Sequence, residues 1–410
     1  METRLIPPDP IPATTVPAEP RLHERIRFDR NELAGSFGDI GTDLPLILAM
    51  IAASGLDGAV VFVLFGFLQV ATGLLYGLPM PMQPLKAVAV LVITQKIGAD
   101  VLAGAALALA TIMLLLSLSG ALTWLARVIP RTVVRGIQFG LGLSLASLAL
   151  KDYVPALGAR GYALAAACFC VIVLLWGNRR VPPAPIVIAL GFVYAMAFTI
   201  DWGRVQVAGG LPAFTMHLPA WDAIWTGLIV LALPQIPLSI SNSVIATHQT
   251  VKDLFPRRTV SVRKIGVTYA SANLIAGFLG GIPVCHGCGG LAGHYAFGAR
   301  TGGSVVIYGL FYIALGLLLG TSVGELVSAY PRPILGVILL FEAVMLMRMI
   351  EDTTADPRQF MLVLLVGTIS FGVPQGFLVG LLVGCALWYY GSWRNRRAVP
   401  AVADTHRPHP

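Results

Sequence analysis

Charge is what this chain has least of. Asp, Glu, Lys and Arg make up 12% of its 410 residues, where a soluble globular chain carries roughly 25%. The apolar share is correspondingly high, at 56%, with a mean hydropathy of +0.79. So little polar covering excludes a soluble enzyme, a nucleic-acid binder and a disordered protein. An all-α polytopic membrane protein remains. Cysteine is sparse too. The five present (Cys168, Cys170, Cys285, Cys288 and Cys385) lie in apolar or glycine-rich surroundings, so no disulfide framework is indicated. Cys168, Cys170 and Cys385 read as small core residues. Acidic side chains are outnumbered 20 to 28, giving a net charge of +8. The basic residues sit between apolar runs, which fits positive-inside orientation better than binding to nucleic acid.

What the chain does have is apolar segments. A spanning helix takes about 20 residues, which leaves room for roughly 12 to 15 spans. Fourteen candidates emerge, at 31–54, 58–76, 79–97, 99–126, 132–150, 161–177, 183–201, 221–247, 264–281, 283–298, 303–320, 332–349, 358–371 and 374–393. Segments 79–97 and 283–298 are short for full spans and open on proline- or glycine-rich stretches, which predicts two half-helices preceded by short extended segments. The first and eighth segments are interrupted near their middles, by GDIGTDLP (38–45) and PQIPLSIS (234–241). Residues 1–30 are rich in proline and arginine and lack an apolar h-region, so they read as a disordered cytoplasmic tail rather than a signal peptide. With both termini cytoplasmic, only Lys96, Lys151, Arg160, Arg204 and Arg332 fall in loops on the opposite side. Residues 202–220 then form an extracytoplasmic linker, and 394–410 a short cytoplasmic tail. The result is a multi-pass integral membrane protein, of the plasma (inner) membrane if the source is bacterial.

The chain also repeats itself. GLLYGLP (73–79) matches GFLGGIP (277–283), 204 positions on, and PRTVVRGI (130–137) matches PRPILGV (331–337), 201 positions on. Residues 31–201 and 221–393 are therefore two repeats of seven spans each. Seven is odd, so the repeats lie in opposite membrane orientations. Inverted repeats with paired broken helices are a transporter signature, with the substrate site near the midplane.

A half-helix that begins at mid-depth presents unpaired N–H groups and about half a positive charge, and two opposed N-termini can form an anion site from backbone alone. Lys86, in the first turn of the third segment, adds a full charge at a cost of ~3 kcal/mol on insertion scales, so it requires a partner. The expected substrate-binding set is Gln83, Lys86, Cys285, His286, Gly287, Gly289 and Gly290, facing Thr42 from the first segment and Gln235, Ser239, Ser241 and Asn242 from the eighth. Neutral donors plus one lysine suit a small oxyanion, and aromatic stacking surface for a nucleobase is lacking. Asp39, Asp43, His286 and Glu342 are the candidate proton carriers, with Asp39 ranked first because it lies in the broken span. Each has a plainer reading. Asp43 could cap a helix, Asp39 or Asp43 could simply pair with Lys86, and Ser239, Ser241 and Asn242 could be interhelical glue. Glu342 has no charged counterpart in the first repeat. The Cys285–Cys288 string lacks a second ligand pair, and no nucleophile–base–orienter set appears. No metal, cofactor or catalytic role is expected.

Four stretches carry a family resemblance: FGDIGTDLP (37–45), PMPMQPLKA (79–87), PQIPLSISNS (234–243) and GIPVCHGCGGLAGHYAFGAR (281–300). They resemble the signature regions of the molybdate transporter family, a branch of the sulfate-permease (SulP) superfamily. The resemblance spans about 31–393 and implies the seven-plus-seven inverted-repeat fold shared with the uracil permease. In that fold a core (spans 1–4 and 8–11) moves against a gate (spans 5–7 and 12–14). Sulfate permeases usually end in a cytoplasmic STAS domain, and this chain resembles the molybdate branch in lacking one. Many relatives with the fold carry an acidic residue in the eighth span, whereas PQIPLSISN (234–242) offers none. The expectation is a secondary transporter that imports molybdate, a tetrahedral dianion, with protons, by alternating access. A SulP-type sulfate transporter is the alternative, as is an anion exchanger or channel on the same fold. The expected partners are the oxyanion, protons and membrane lipid, without nucleic acid; a homodimer stays open.

Overall fold

The computed structural model describes residues 25–175, 183–200, 212–319 and 329–398. The outer parts of both expected tails, the linker stretch 201–211, and Arg21, Arg179, Arg180 and Arg204 lie outside the described residues.

Helices occupy the apolar segments in order. They are α1 (Arg30–Ser36), α2 (Ile40–Ser54), α3 (Gly58–Tyr76), α4 (Lys86–Gln95), α5 (Ala99–Leu118), α6 (Ala121–Val128), α7 (Arg131–Leu148), α8 (Gly158–Leu174) and α9 (Pro183–Tyr194). The second half holds α10 (Trp221–Leu254), α11 (Val262–Leu279), α12 (Cys288–Ala296), α13 (Gly303–Leu319), α14 (Arg332–Arg348), α15 (Pro357–Gly372) and α16 (Gly376–Ala398). Two three-residue strands, β1 (Met82–Pro84) and β2 (Val284–His286), precede the short helices α4 and α12. Among the described residues, six helices are long and apolar enough to cross a membrane, and seven when the bent pair α1–α2 counts as one span.

Two local expectations are corrected and one is met. The fourth segment does not run unbroken over 99–126, because Gly120 adopts φ +75° between α5 and α6, a left-handed conformation that stops a helix. The first segment is interrupted as expected, by a bend of 41° between α1 and α2. The eighth is not interrupted: α10 is continuous through Pro234 and Pro237, with π-helical turns at Leu228–Ala232 and Ser239–Ala246 on either side. A wide turn relieves the clash of a proline ring with the preceding carbonyl, so the chain bulges where a tight helix would break. The inner end of the expected disordered tail is also bound. The Arg25 carbonyl accepts from Gly302 N at 3.0 Å, and Arg27 N donates to Thr301 Oγ1 at 3.2 Å.

Packing gathers the helices into two groups. In one, α3 lies along α13, and α5 lies along α10 and α11; in the other, α14 and α15 flank α7, with α8, α9 and α16 outside them. Close backbone approach makes this possible without a hydrophobic driving force between helices. A Cβ on Gly66 would stand 2.5 Å from the Gly309 carbonyl oxygen, and one on Gly140 would stand 2.9 Å from that of Gly367.

Candidate functional site

The two strands pair antiparallel in the interior, with Gln83 opposite Cys285. A strand of three residues leaves backbone groups unpaired, and inside a membrane these must be satisfied by protein. Two amide side chains do so. Gln69 on α3 accepts from Met82 N at 2.8 Å and donates to Met82 O at 2.6 Å. Asn273 on α11 accepts from Val284 N at 3.0 Å and donates to Val284 O at 2.7 Å. Gln69 and Asn273 stand 204 positions apart, the offset of the repeated motif, and that was the signal by which sequence reasoning could have found them.

Alternation along the strands decides which side chains reach the cavity. Gln83 and Cys285 line it, whereas His286, next along β2, turns away. His286 is fully buried, with Nε2 at 2.8 Å from Thr268 Oγ1 and its ring edge-on to Tyr76. The structure therefore does not bring His286 to the cavity, against the expectation that it binds substrate.

The cavity holds about 130 Å3, lined by Gln83, Lys86, Gln235, Asn242, Cys285, Gly287, Cys288 and Gly289 on one side and by Gln138, Leu141, Leu346 and Met349 on the other. A single water needs roughly 10–15 Å3 of such space, so a small polyatomic ion fits. Both short helices begin in its wall, α4 at Lys86 and α12 at Cys288. Their N-termini differ, which corrects the expectation of a site made from backbone alone. At α4, Gln235 Oε1 accepts from Ala87 N at 3.1 Å and Val88 N at 3.3 Å, so those donors are spent. Gln235 is held in turn by Ser239 Oγ at 3.0 Å, which contacts the Tyr269 hydroxyl at 2.8 Å. Ser239 thus supports the cavity from behind. At α12 no side chain caps the N-terminus, and a Cβ on Gly289 would meet open space. Gly287 has a steric reason to be glycine, because a Cβ there would overlap Gln83 Oε1.

The charges pair differently from expectation. Lys86 Nζ lies 2.7 Å from Glu342 Oε1 on α14, and Thr42 Oγ1 donates to Glu342 Oε2 at 3.4 Å. Neither Asp39 nor Asp43 holds the lysine. Asp39 accepts from Gln83 Nε2, and Asp43 accepts from the Tyr308 hydroxyl at 3.2 Å. Gly290 lies behind the wall, where its missing Cβ leaves room for the Asp39 carboxylate. Ser241 donates to Pro237 O at 2.8 Å and lines the neighbouring cavity, which it shares with Asn242, Arg131 and Arg135. Glu32, singled out by no sequence pattern, accepts from Arg300 N, Thr301 N and Ser304 N at 3.0–3.2 Å, tying α1 to the start of α13. Cys285 and Cys288 share the cavity wall, but among the described residues no three His, Cys, Asp or Glu side chains converge as a metal site requires.

A family profile described as "Molybdate transporter of MFS superfamily" matches residues 31–145 and 227–346. Molybdate transporter 2 of Arabidopsis thaliana is 33% identical, over 90% of this chain and 89% of its own. Molybdate transporter 1 of Chlamydomonas reinhardtii is 26% identical over 88% of this chain and 92% of its own. Among solved structures, the transmembrane domain of the cyanobacterial bicarbonate transporter BicA has a TM-score of 0.63 at 16% identity, covering 88% of this chain and 98% of that one. The murine solute carrier 26 family member A9 anion transporter, in its inward-facing state, reaches 0.69 at 15% identity, with 90% and 70% covered. The likeness to these two is one of fold, the inverted repeat of such transporters. With the profile matched over more than half of its length and the plant relative aligned along nearly all of it, this chain belongs to the molybdate transporter family.

Proposed function

We propose that this protein imports molybdate by secondary active transport coupled to protons, through alternating access. Spans 1–4 and 8–11 carry the site and move against spans 5–7 and 12–14, with both termini cytoplasmic. The observation that carries this reading is the cavity at the uncapped N-terminus of α12, with Lys86 in its wall and neutral donors around it. Lone-pair-rich oxygens meet N–H dipoles and an ammonium there, which favours a tetrahedral oxyanion over a nucleobase. Gln83, Lys86, Cys288 and Gly289 are the contacts assigned to the anion, and Gln235 and Ser239 position the half-helix beside it. Proton coupling follows from charge. A dianion entering a negative-inside cell is opposed by ~2.3 kcal/mol per charge per 100 mV, so accumulation requires at least two compensating protons. Asp39, Asp43 and Glu342 are carboxyls within reach of this region.

The test is uptake of labelled molybdate into proteoliposomes, with and without an inward proton gradient, in competition with sulfate and uracil. Proton-stimulated molybdate uptake that uracil does not inhibit is expected. Uptake of uracil but of neither oxyanion would sink the proposal. Sulfate has the same shape and charge, so efficient competition by sulfate would mark a broader oxyanion carrier.

A further inference from the structure

The Lys86–Glu342 pair joins α4, whose N-terminus is held by Gln235 of α10 in the first helix group, to α14 in the second, at the wall of the cavity. Lys86 opens the half-helix α4, and Glu342 projects from the middle of α14 in the other group, with 11% of its side chain exposed. Intramembrane carboxylates are costly and rare, so one placed against the site calls for a use. Its contacts resemble those a free oxyanion would make, with one oxygen on an ammonium and the other on the Thr42 hydroxyl.

We propose that Glu342 is a tethered counter-anion that stands in for substrate in the empty carrier. The inference rests on reading the cavity as an oxyanion site. An arriving dianion competes for Lys86, and if Glu342 stayed ionised the cluster would hold three negative charges against one positive. The groups around it add no relief. Asp39, just before α2, and Asp43 in its first turn bring further carboxyls. Facing α7 has no ionisable side chain between Arg135 and Lys151, and the turn Ala149–Tyr153 brings Lys151, Asp152 and Tyr153 at the far end of α14. Helix α8 contributes Cys168 and Cys170 besides the exposed Arg160 and Tyr162 of its first turn, and α9 contributes Tyr194. Glu342 therefore leaves Lys86 and takes one proton from water on the side of entry. Only an O–H bond forms. When the anion departs, that proton is lost to water on the other side, and the carboxylate returns to Lys86, neutralising the empty site so that it can reset. Because the pair bridges the two groups, its exchange for substrate also releases one group from the other.

The experiment compares wild type with Glu342→Gln in proteoliposomes, using the full chain and labelled molybdate in two modes. Exchange of internal for external molybdate needs no empty-carrier reset, whereas net accumulation does. Glu342→Gln is expected to keep exchange and lose proton-driven accumulation roughly tenfold or more. It should also bind molybdate about tenfold more tightly, because no tethered rival occupies Lys86. Equal loss of both modes in a folded variant would overturn the inference, as would full retention of proton-driven accumulation. The exchanged pair Lys86→Glu with Glu342→Lys gives an independent reading. Restored transport would mean a structural strut only, while loss of transport with normal folding supports the proposal. If Glu342→Gln does not fold, Glu342→Asp carries the test, with tighter molybdate binding expected and unchanged affinity overturning it. Wild type that neither exchanges nor accumulates molybdate or sulfate would overturn the oxyanion reading itself, a different result from failure of the Glu342 variants alone.

Discussion

At the scale of single residues, Lys86 sits where local and distant structure meet. Its position at the start of α4 follows from sequence, since the extended MQP stretch ends just before it. Its partner does not, because Glu342 lies 256 positions away on a helix with no charged counterpart in the other repeat. If Lys86 binds the anion, Lys86→Gln should weaken molybdate affinity by about ten- to a hundredfold, the range of a lost hydrogen bond to a charged group. Lys86→Arg should recover part of that loss, as keeping the charge preserves attraction while the bulkier fork alters the geometry. Equilibrium binding of labelled molybdate to purified protein checks both, and unchanged affinity in Lys86→Gln would remove the lysine from the site.

Among the elements, the short strands are the most dependent on their surroundings. Three residues cannot hold themselves extended in an apolar interior, so Gln69 and Asn273 supply both hydrogen bonds to one backbone residue in each strand. Replacing either by Leu leaves a buried N–H and a buried C=O without partners, at about 1–3 kcal/mol each. Both variants should lower thermal stability in detergent by comparable amounts, since the two clamps are equivalent; a loss in only one would break that equivalence. A second element-scale prediction lies outside the spans. Asp356 caps α15, accepting from Arg358 N and Gln359 N, while Gln359 Nε2 donates to its other oxygen at 3.0 Å. Those bonds, chiefly from Gln359, hold its carboxyl below the usual range. A lowered value means that the cap contributes fully above the unfolded value of about 3.9 and is lost as pH falls through the lower folded value. Asp356→Asn should flatten that acid limb of a stability profile and lower stability modestly at neutral pH, where the ionised cap contributes in full.

For the whole molecule, two helix groups meet across a cavity, and the proposed cycle requires them to move. Ser119, after α5, and Thr354, before α15, are exposed and belong to different groups, so spin labels there report the separation. Their distance distribution should shift when molybdate or a proton gradient is applied. One fixed distance under every condition would count against alternating access.

The sequence by itself determined the membrane class, the order and approximate ends of the helices, the two half-helices and the offset of the repeats. These follow from hydropathy over about 20 residues and from self-similarity, and both are local properties of the chain. Tertiary structure alone decided that α10 bulges rather than breaks, because the strain of two prolines can be relieved in either way. It also decided that His286 faces Thr268 while Cys285 faces the cavity, since alternation fixes opposite faces but not which face is which. The same holds for the α4 N-terminus, where Gln235 takes up two of the donors that looked free for an anion. The pairing of Lys86 with Glu342 was the least legible, because an ion pair between helices depends on where packing brings two distant positions together, and nothing in the spacing of either encodes that.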